Sequence, residues 1–215
     1  TVEEADNIIM NTFKVPKTGV FGLLDVVGLD LVPAVINSLL SNLPQNDYYH
    51  SLHQSPELFH FMINNGMIGR KGDGGFYKLI NKKGKRIKHS LNLISKKYYV
   101  SKKYQIEEIE ILKKNLINFL KLDNKYSKFA FKVLSDVLFY VLTIAEEISF
   151  NIHSIDSAMR DGFNWKLGPF EIIDSIGINS FKELLINHNI KIPPLLDSVE
   201  KSFYKYENNE IKFYD

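Results

Sequence analysis

The segment Arg70-Lys71-Gly72-Asp73-Gly74-Gly75 has the composition of a phosphate site: glycines that let a backbone approach an anion, flanked by cations. Its spacing is neither that of a P-loop nor that of the dinucleotide fingerprint, and a strand-like segment follows where a helix should open. It therefore reads as a loop entering a hairpin. Glu146-Glu147 could pair for acid/base work, but adjacent helical residues point apart, so the pair reads as a solvated helix end. Among the histidines at 50, 53, 60, 89, 153 and 188, His50 and His53 sit in a loop with no third ligand at metal spacing. No G-x-S-x-G nucleophile motif occurs. Read by its chemistry alone, the sequence offers no acid, base, nucleophile or metal centre.

Basic residues are dense from Lys78 to Lys103, where ten lysines and arginines occur without one acid, interleaved with Tyr98 and Tyr99. Such a run resembles a nucleic-acid surface. However, lysine dominates the whole chain, arginine occurs only at Arg70, Arg86 and Arg160, and the net charge is only +2. A solvated surface or linker is the expectation, with no nucleic-acid partner. The absence of cysteine excludes disulfide and thiolate chemistry. The most apolar stretch, Val137 to Ala145, is too short to span a membrane and is bounded by Asp136 and Glu146. The opening Thr1-Val2-Glu3-Glu4 does not resemble a targeting peptide, and a cytoplasmic location is expected. The missing initiator Met predicts a fragment of a longer protein or a processed one.

Behind these candidates lies a duplication. Gly19 to Gly28 (GVFGLLDVVG) aligns without a gap on Gly168 to Gly177 (GPFEIIDSIG), placing Gly19 on Gly168, Phe21 on Phe170, Asp25 on Asp174 and Gly28 on Gly177. Upstream, Ala5-Asp6 falls near Ile155-Asp156. Downstream, Gly75-Phe76-Tyr77-Lys78 echoes Ser202-Phe203-Tyr204-Lys205. Matches in the same order argue for a repeated module.

The local patterns give the elements. Thr1 to Lys14 is a helix with capping-box spacing between Thr1 and Glu4. Phe21 to Val27 is a short helix stopped at Gly28. Asp30 is an N-cap for a helix with Pro33 in its first turn, running to about Leu43. Pro56 to Asn65 is a helix, and Phe76 to Lys88 is a hairpin turning at Gly84. Tyr104 to Leu120 is helical, and Phe129 to Ile148 is the longest helix, apolar nearly all round. Ser154 to Phe163 is a helix closed by Gly162 in the left-handed conformation. Pro169 and Glu171 open the next, Ser180 to Asn187 follows, and Phe203 to Tyr214 is a final hairpin. The second copy begins with a long helix that the first copy lacks.

The segment Asp156 to Glu171 (DSAMRDGFNWKLGPFE) resembles the helical C-terminal domain of 3-hydroxyacyl-CoA dehydrogenases, as does Pro16 to Asp30 (PKTGVFGLLDVVGLD). Gly69 to Tyr77 (GRKGDGGFY) resembles the glycine-rich close of that domain. Two copies with a lysine-rich insert are similar to the arrangement in multifunctional fatty-acid β-oxidation proteins. The resemblance implies a mainly α fold: two tandem copies of the 6-phosphogluconate-dehydrogenase-C-like helical domain, each ending in a short β-hairpin. The corresponding divisions are a first repeat at 1–95 without its opening helix, a linker with a helix at 96–126, and a second repeat at 127–215. It also implies NAD-dependent oxidation of a 3-hydroxyacyl-CoA, with NAD held by an upstream Rossmann domain and a hydratase domain in some parents. The family's His-Glu pair, its G-x-G-x-x-G turn and its Asn-Arg helix are not found in this sequence, so no catalytic residue carries over. Thr18, Gly19, Val20 and Phe21 match the family loop near the acyl end of the substrate, although Val20 replaces the usual Pro. Beyond acyl-CoA, the expected partners are the Rossmann domain and a second copy of the chain, with no membrane span.

Overall fold

The computed structural model describes residues 1–52, 57–207 and 210–213. The elements, in order, are α1 (Val2–Thr12), α2 (Gly19–Val27), a 3₁₀ turn (Leu29–Leu31), α3 (Val32–Asn42), α4 (Tyr49–Leu52) and α5 (Glu57–Asn64). Three strands follow: β1 (Tyr77–Lys82), β2 (Lys85–Leu91) and β3 (Tyr98–Val100). The remaining helices are α6 (Glu108–Lys114), α7 (Leu116–Leu120), α8 (Lys125–Ile148), α9 (Ile152–Phe163), α10 (Pro169–Ile176), α11 (Ile178–Asn187) and α12 (Pro194–Asp197). The chain closes on the hairpin β4 (Tyr204–Glu207) and β5 (Glu210–Phe213). It is thus mainly helical, with a small antiparallel sheet β1-β2-β3 and a separate pair β4-β5.

Two compact units divide the chain: residues 1–10 with 17–106, and residues 11–16 with 107–215. In the first, Val2, Leu29, Met62, Met67, Phe76 and Leu91 form the core, with Phe21, Phe59 and Tyr98 packed around it. The hairpin turns through Lys83 and Gly84, both at positive φ (52° and 75°), which suits the right-handed twist of a two-residue connection. In the second unit, α8 buries Ala130, Phe131, Leu134, Leu138 and Leu142 along one face and packs on α7, α10 and α12. Its N-terminus carries a reciprocal cap, in which the Asn124 side chain accepts from the Ser127 backbone N–H.

Several local expectations meet the structure directly. Thr1 and Glu4 exchange hydrogen bonds, Gly28 and Gly177 take φ of 101° and 92° where α2 and α10 stop, and Glu146 and Glu147 are exposed at the end of α8. Others need correction. Gly162 lies within α9; the left-handed residue that closes this helix is Asn164, at φ 54°. Asp30 does not cap α3, because the 3₁₀ turn intervenes and Leu31 holds the N-cap position. Its carboxylate instead pairs with Lys71 at 2.7 Å. The helical stretch before Leu120 is broken at Asn115, whose extended backbone ends α6 and whose side chain caps α7. The lysine-rich run is sheet, not linker, over much of its length, and α8 is buried along one stripe, with Val133 and Val137 only half-buried. His50 lies in α4, with Nε2 3.0 Å from the Pro44 carbonyl. His53 and Pro56 lie outside the described residues.

Candidate functional site

The residues shared by the two copies turn out to be a carboxylate latch. Asp6, on α1, accepts hydrogen bonds from the Phe21 N–H (2.9 Å) and the Tyr77 hydroxyl (2.7 Å). Asp25, on α2, accepts from the consecutive N–H groups of Phe76 (2.8 Å) and Tyr77 (2.7 Å). In the second copy, Asp156 on α9 accepts from the N–H groups of Phe170 (2.9 Å) and Glu171 (3.0 Å) and from the Tyr204 hydroxyl (2.8 Å). Asp174 on α10 accepts from the N–H groups of Phe203 (2.8 Å) and Tyr204 (2.9 Å). Each copy thereby ties the helix before its short helix (α1 or α9) to the start of that short helix, and the short helix to its hairpin. The aromatic partners repeat too: Phe21 lies against Phe76 (4.5 Å between centroids) and Phe170 against Phe203 (4.8 Å).

The latch explains the glycine-rich loop of the first copy. A Cβ on Gly75 would lie 1.9 Å from Asp25 Oδ1, and one on Gly69, at φ +98°, would lie 2.4 Å from the Asp25 carbonyl oxygen. The loop's N–H groups are engaged internally, Gly69 to Gly74, Arg70 to Asp25, Gly72 to Gly69, Asp73 to Gly66 and Gly75 to Tyr77. Gly69 and Gly75 are thus the two glycines that leave room for Asp25.

The electrostatics follow from burial. Desolvation pushes Asp6, Asp25 and Asp174 above the usual carboxylate range, against the pull of the donors they accept from. Asp156 is pushed up to about 6, again by burial first. Tyr77 and Tyr204 are raised by burial and by the carboxylates they donate to. With every latch carboxylate already holding at least two donors, these groups position backbone and offer no free base.

Beside the first latch lies an open cleft of about 970 Å³. Its walls include Lys17, Thr18, Gly22, Arg70, Lys78 and Lys88, with Asp25, Asp73 and Tyr77. Of the four residues matched to the family's acyl-end loop, the cleft takes only Thr18. Gly19 is buried against Asp6, Phe21 packs on Phe76, and Val20 stands 44% exposed. The cationic wall was not legible in the sequence, since Lys17, Arg70, Lys78 and Lys88 come from three separate segments of a chain rich in lysine throughout.

A family model for the 3-hydroxyacyl-CoA dehydrogenase C-terminal domain matches the chain twice, over residues 1–79 and 129–205. The chain belongs to this family. Both matched segments contain the latch aspartates, and the two matches give the duplication a family meaning. A Rickettsia prowazekii protein named "Putative fatty acid oxidation complex trifunctional enzyme" is 33% identical over 91% of the chain and 27% of its own length. A Bacillus subtilis protein named "Probable 3-hydroxyacyl-CoA dehydrogenase" is 31% identical over 100% of the chain and 28% of its own length. The chain therefore spans little more than a quarter of these relatives. No solved structure matches.

The family is NAD-dependent. The residues here do not fit a dinucleotide. The one glycine-rich loop enters a strand, not a helix, and the N–H groups of five of its residues are already held by carbonyls of the chain itself. Among the described residues no group of histidine and acidic side chains is placed to hold a metal ion, and no single helix is long and apolar enough to cross a membrane.

Proposed function

We propose that the chain is the C-terminal helical half of an NAD-dependent 3-hydroxyacyl-CoA dehydrogenase of fatty-acid β-oxidation. In this reading an upstream Rossmann domain supplies NAD and the catalytic pair, and the present chain shapes the acyl-CoA cleft through Thr18, Gly19, Val20 and Phe21. Its two repeats have the 6-phosphogluconate-dehydrogenase-C-like fold, and the second takes the place of a partner subunit. The observation that carries the proposal is the double family match together with the latch aspartates found in both copies. Oxidation of NADH with acetoacetyl-CoA tests it. The chain alone should be inactive and the longer parent active. Turnover by the chain alone, or by neither protein, would overturn it.

A second reading, a helical interaction module that keeps the family fold, is favoured by one observation. Leu23 and Val27 on α2, Leu31 in the 3₁₀ turn and Val35 on α3 are all exposed, and clusters of exposed apolar side chains commonly mark contact surfaces. Self-association through this cluster is expected to show in sedimentation, and a chain that stays monomeric at high concentration counts against it.

A further inference from the structure

The two hairpins of the repeat close on opposite charges. That of the second copy closes with Glu207 opposite Glu210. That of the first closes with Lys82 opposite Lys85, with Lys83 and Gly84 making the turn between them. Arg86 follows, so Lys82, Lys83, Lys85 and Arg86 form one exposed end of the sheet. Strand residues alternate between faces, which puts Lys82 and Lys85 on one face of the ribbon and Arg86, with Lys88, on the other. On the far side of β2 the Ser101 N–H donates to the Lys88 carbonyl, and the chain runs on towards the same end with Lys102 and Lys103, both exposed. Among the described residues none of Lys82, Lys83, Lys85, Arg86, Lys102 and Lys103 forms a salt bridge. Glu3, an acid that reaches this run, is taken up by the Tyr99 hydroxyl (2.6 Å) and the Lys102 N–H (3.2 Å). The chain's net charge of +2 hides this concentration: ten basic residues and no acid lie between Lys78 and Lys103, and the rest of the chain carries an excess of acids. Like charges directly opposite each other weaken a hairpin, so the closing lysines are held against the stability of the strand pair.

We infer that this end of the β1–β2 hairpin binds the phosphodiester backbone of double-stranded DNA, without regard to sequence, through Lys82, Lys83, Lys85 and Arg86, with Lys102 and Lys103 beside them. A two-stranded ribbon is narrow enough for the major groove of B-form DNA, and both walls of that groove are lined by phosphates, which suits a ribbon with cations on both faces. A lipid surface or a flat acidic protein would meet one face only, and residues 81–86 include no apolar side chain to enter a membrane. The deep, narrow major groove of A-form RNA does not admit the ribbon. Tyr98 and Tyr99, the aromatics of the run, are half-buried and donate their hydroxyls to the Gly75 carbonyl and to Glu3, so they offer no platform on which single-stranded bases could stack. Nothing in this surface depends on the dehydrogenase reading.

Fluorescence anisotropy of the full chain with a labelled DNA duplex of mixed sequence tests the surface. With four to six phosphates neutralised, log K should fall with log salt at a slope of about −3.5 to −5.5. Lys82→Gln combined with Lys85→Gln should make that slope shallower by about 2 and weaken binding about tenfold or more, while the melting temperature holds or rises because a like-charge pair has gone. Lys82→Glu combined with Lys85→Glu, the closing pair of the second copy, should abolish binding. Lys191→Gln, an exposed lysine of the second unit, should lower affinity little and leave the slope unchanged. A single strand of the same length and double-stranded RNA should each bind at least about tenfold more weakly than the duplex. A slope that the hairpin substitutions leave unchanged, or equal binding of duplex and single strand, would overturn the inference. Tighter binding to phosphatidylglycerol vesicles than to the duplex, lost in the same variants, would overturn it in favour of a lipid surface.

Discussion

The short helices α2 and α10 carry the same motif and opposite surroundings. Leu23 is 51% exposed where Ile172 is 1% exposed, and Val27 is 48% exposed where Ile176 is 4%. The contrast continues into the next helix, with Val35 at 57% against Leu184 at 5%. In the second copy α8 packs on α10, and its Phe131 ring lies 4.0 Å from that of His188 at the end of α11. The side chains of the first copy are as apolar as those of the second, but no helix of the α8 kind lies over them within their unit. The latch, by contrast, is preserved in both. The polar geometry of the module is therefore independent of the apolar cover, and sequence identity tracks the latch more closely than the cover.

The largest effect should come from the second latch. Asp156→Ala leaves three donors without their acceptor, at about 1–3 kcal/mol each, so a loss of about 3–9 kcal/mol is expected in urea unfolding. Asp6→Ala frees at least the Phe21 N–H and the Tyr77 hydroxyl and should lose about 2–6 kcal/mol. A larger loss at Asp6 than at the more deeply buried Asp156 would reverse that order.

Next comes the apolar cover. Ile172→Ala should lose about 2–4 kcal/mol, whereas Leu23→Ala at the matching position should stay within about 0.5 kcal/mol. A large loss at Leu23 that depends on protein concentration would instead place a partner chain on that face.

A pH series sharpens the difference at the latch. The Asp156 carboxyl is raised to about 6 in the folded chain, so the folded state holds its proton more tightly than the unfolded state does. Its contribution is therefore most favourable below the ordinary value of 3.8 and is lost as pH rises towards 6. The urea midpoint should fall over that window, and Asp156→Asn should flatten the fall. The smallest effect is expected at Gly162, where an added Cβ would meet nothing within 4 Å. Gly162→Ala should stabilise α9 by about 0.5–1 kcal/mol, read as a raised melting temperature.

The repeat was legible because the latch demands particular residues at fixed spacing: Asp25 and Asp174 at one face of a short helix, and Gly28 and Gly177 at a positive φ that other residues avoid. The Phe-Tyr echo at 76–77 and 203–204 was visible as well, but its role was not. A backbone N–H pair meeting a carboxylate some fifty residues away leaves no local signature. Asp30 had every local feature of an N-cap and was taken by Lys71, which is near it only in space. The strand β3 was hidden because Tyr98-Tyr99-Val100 is short and embedded in lysines. Its place is set by pairing with β2, His89 opposite Val100 and Leu91 opposite Tyr98. The cleft was hidden for the same reason as the latch donors, since its walls come from distant segments.

The latch also determines how much chain each copy can enclose. Asp25 reaches Phe76 across 51 positions, whereas Asp174 reaches Phe203 across 29. Closing a flexible loop grows dearer only with the logarithm of its length, so this difference amounts to about 0.5 kcal/mol. A pair of N–H groups on one carboxylate is therefore a closure nearly indifferent to what lies between its ends. The segment between the short helix and the hairpin can lengthen, shorten or acquire new elements without reopening the module, which makes it the part of this fold where a new surface can be added at least expense.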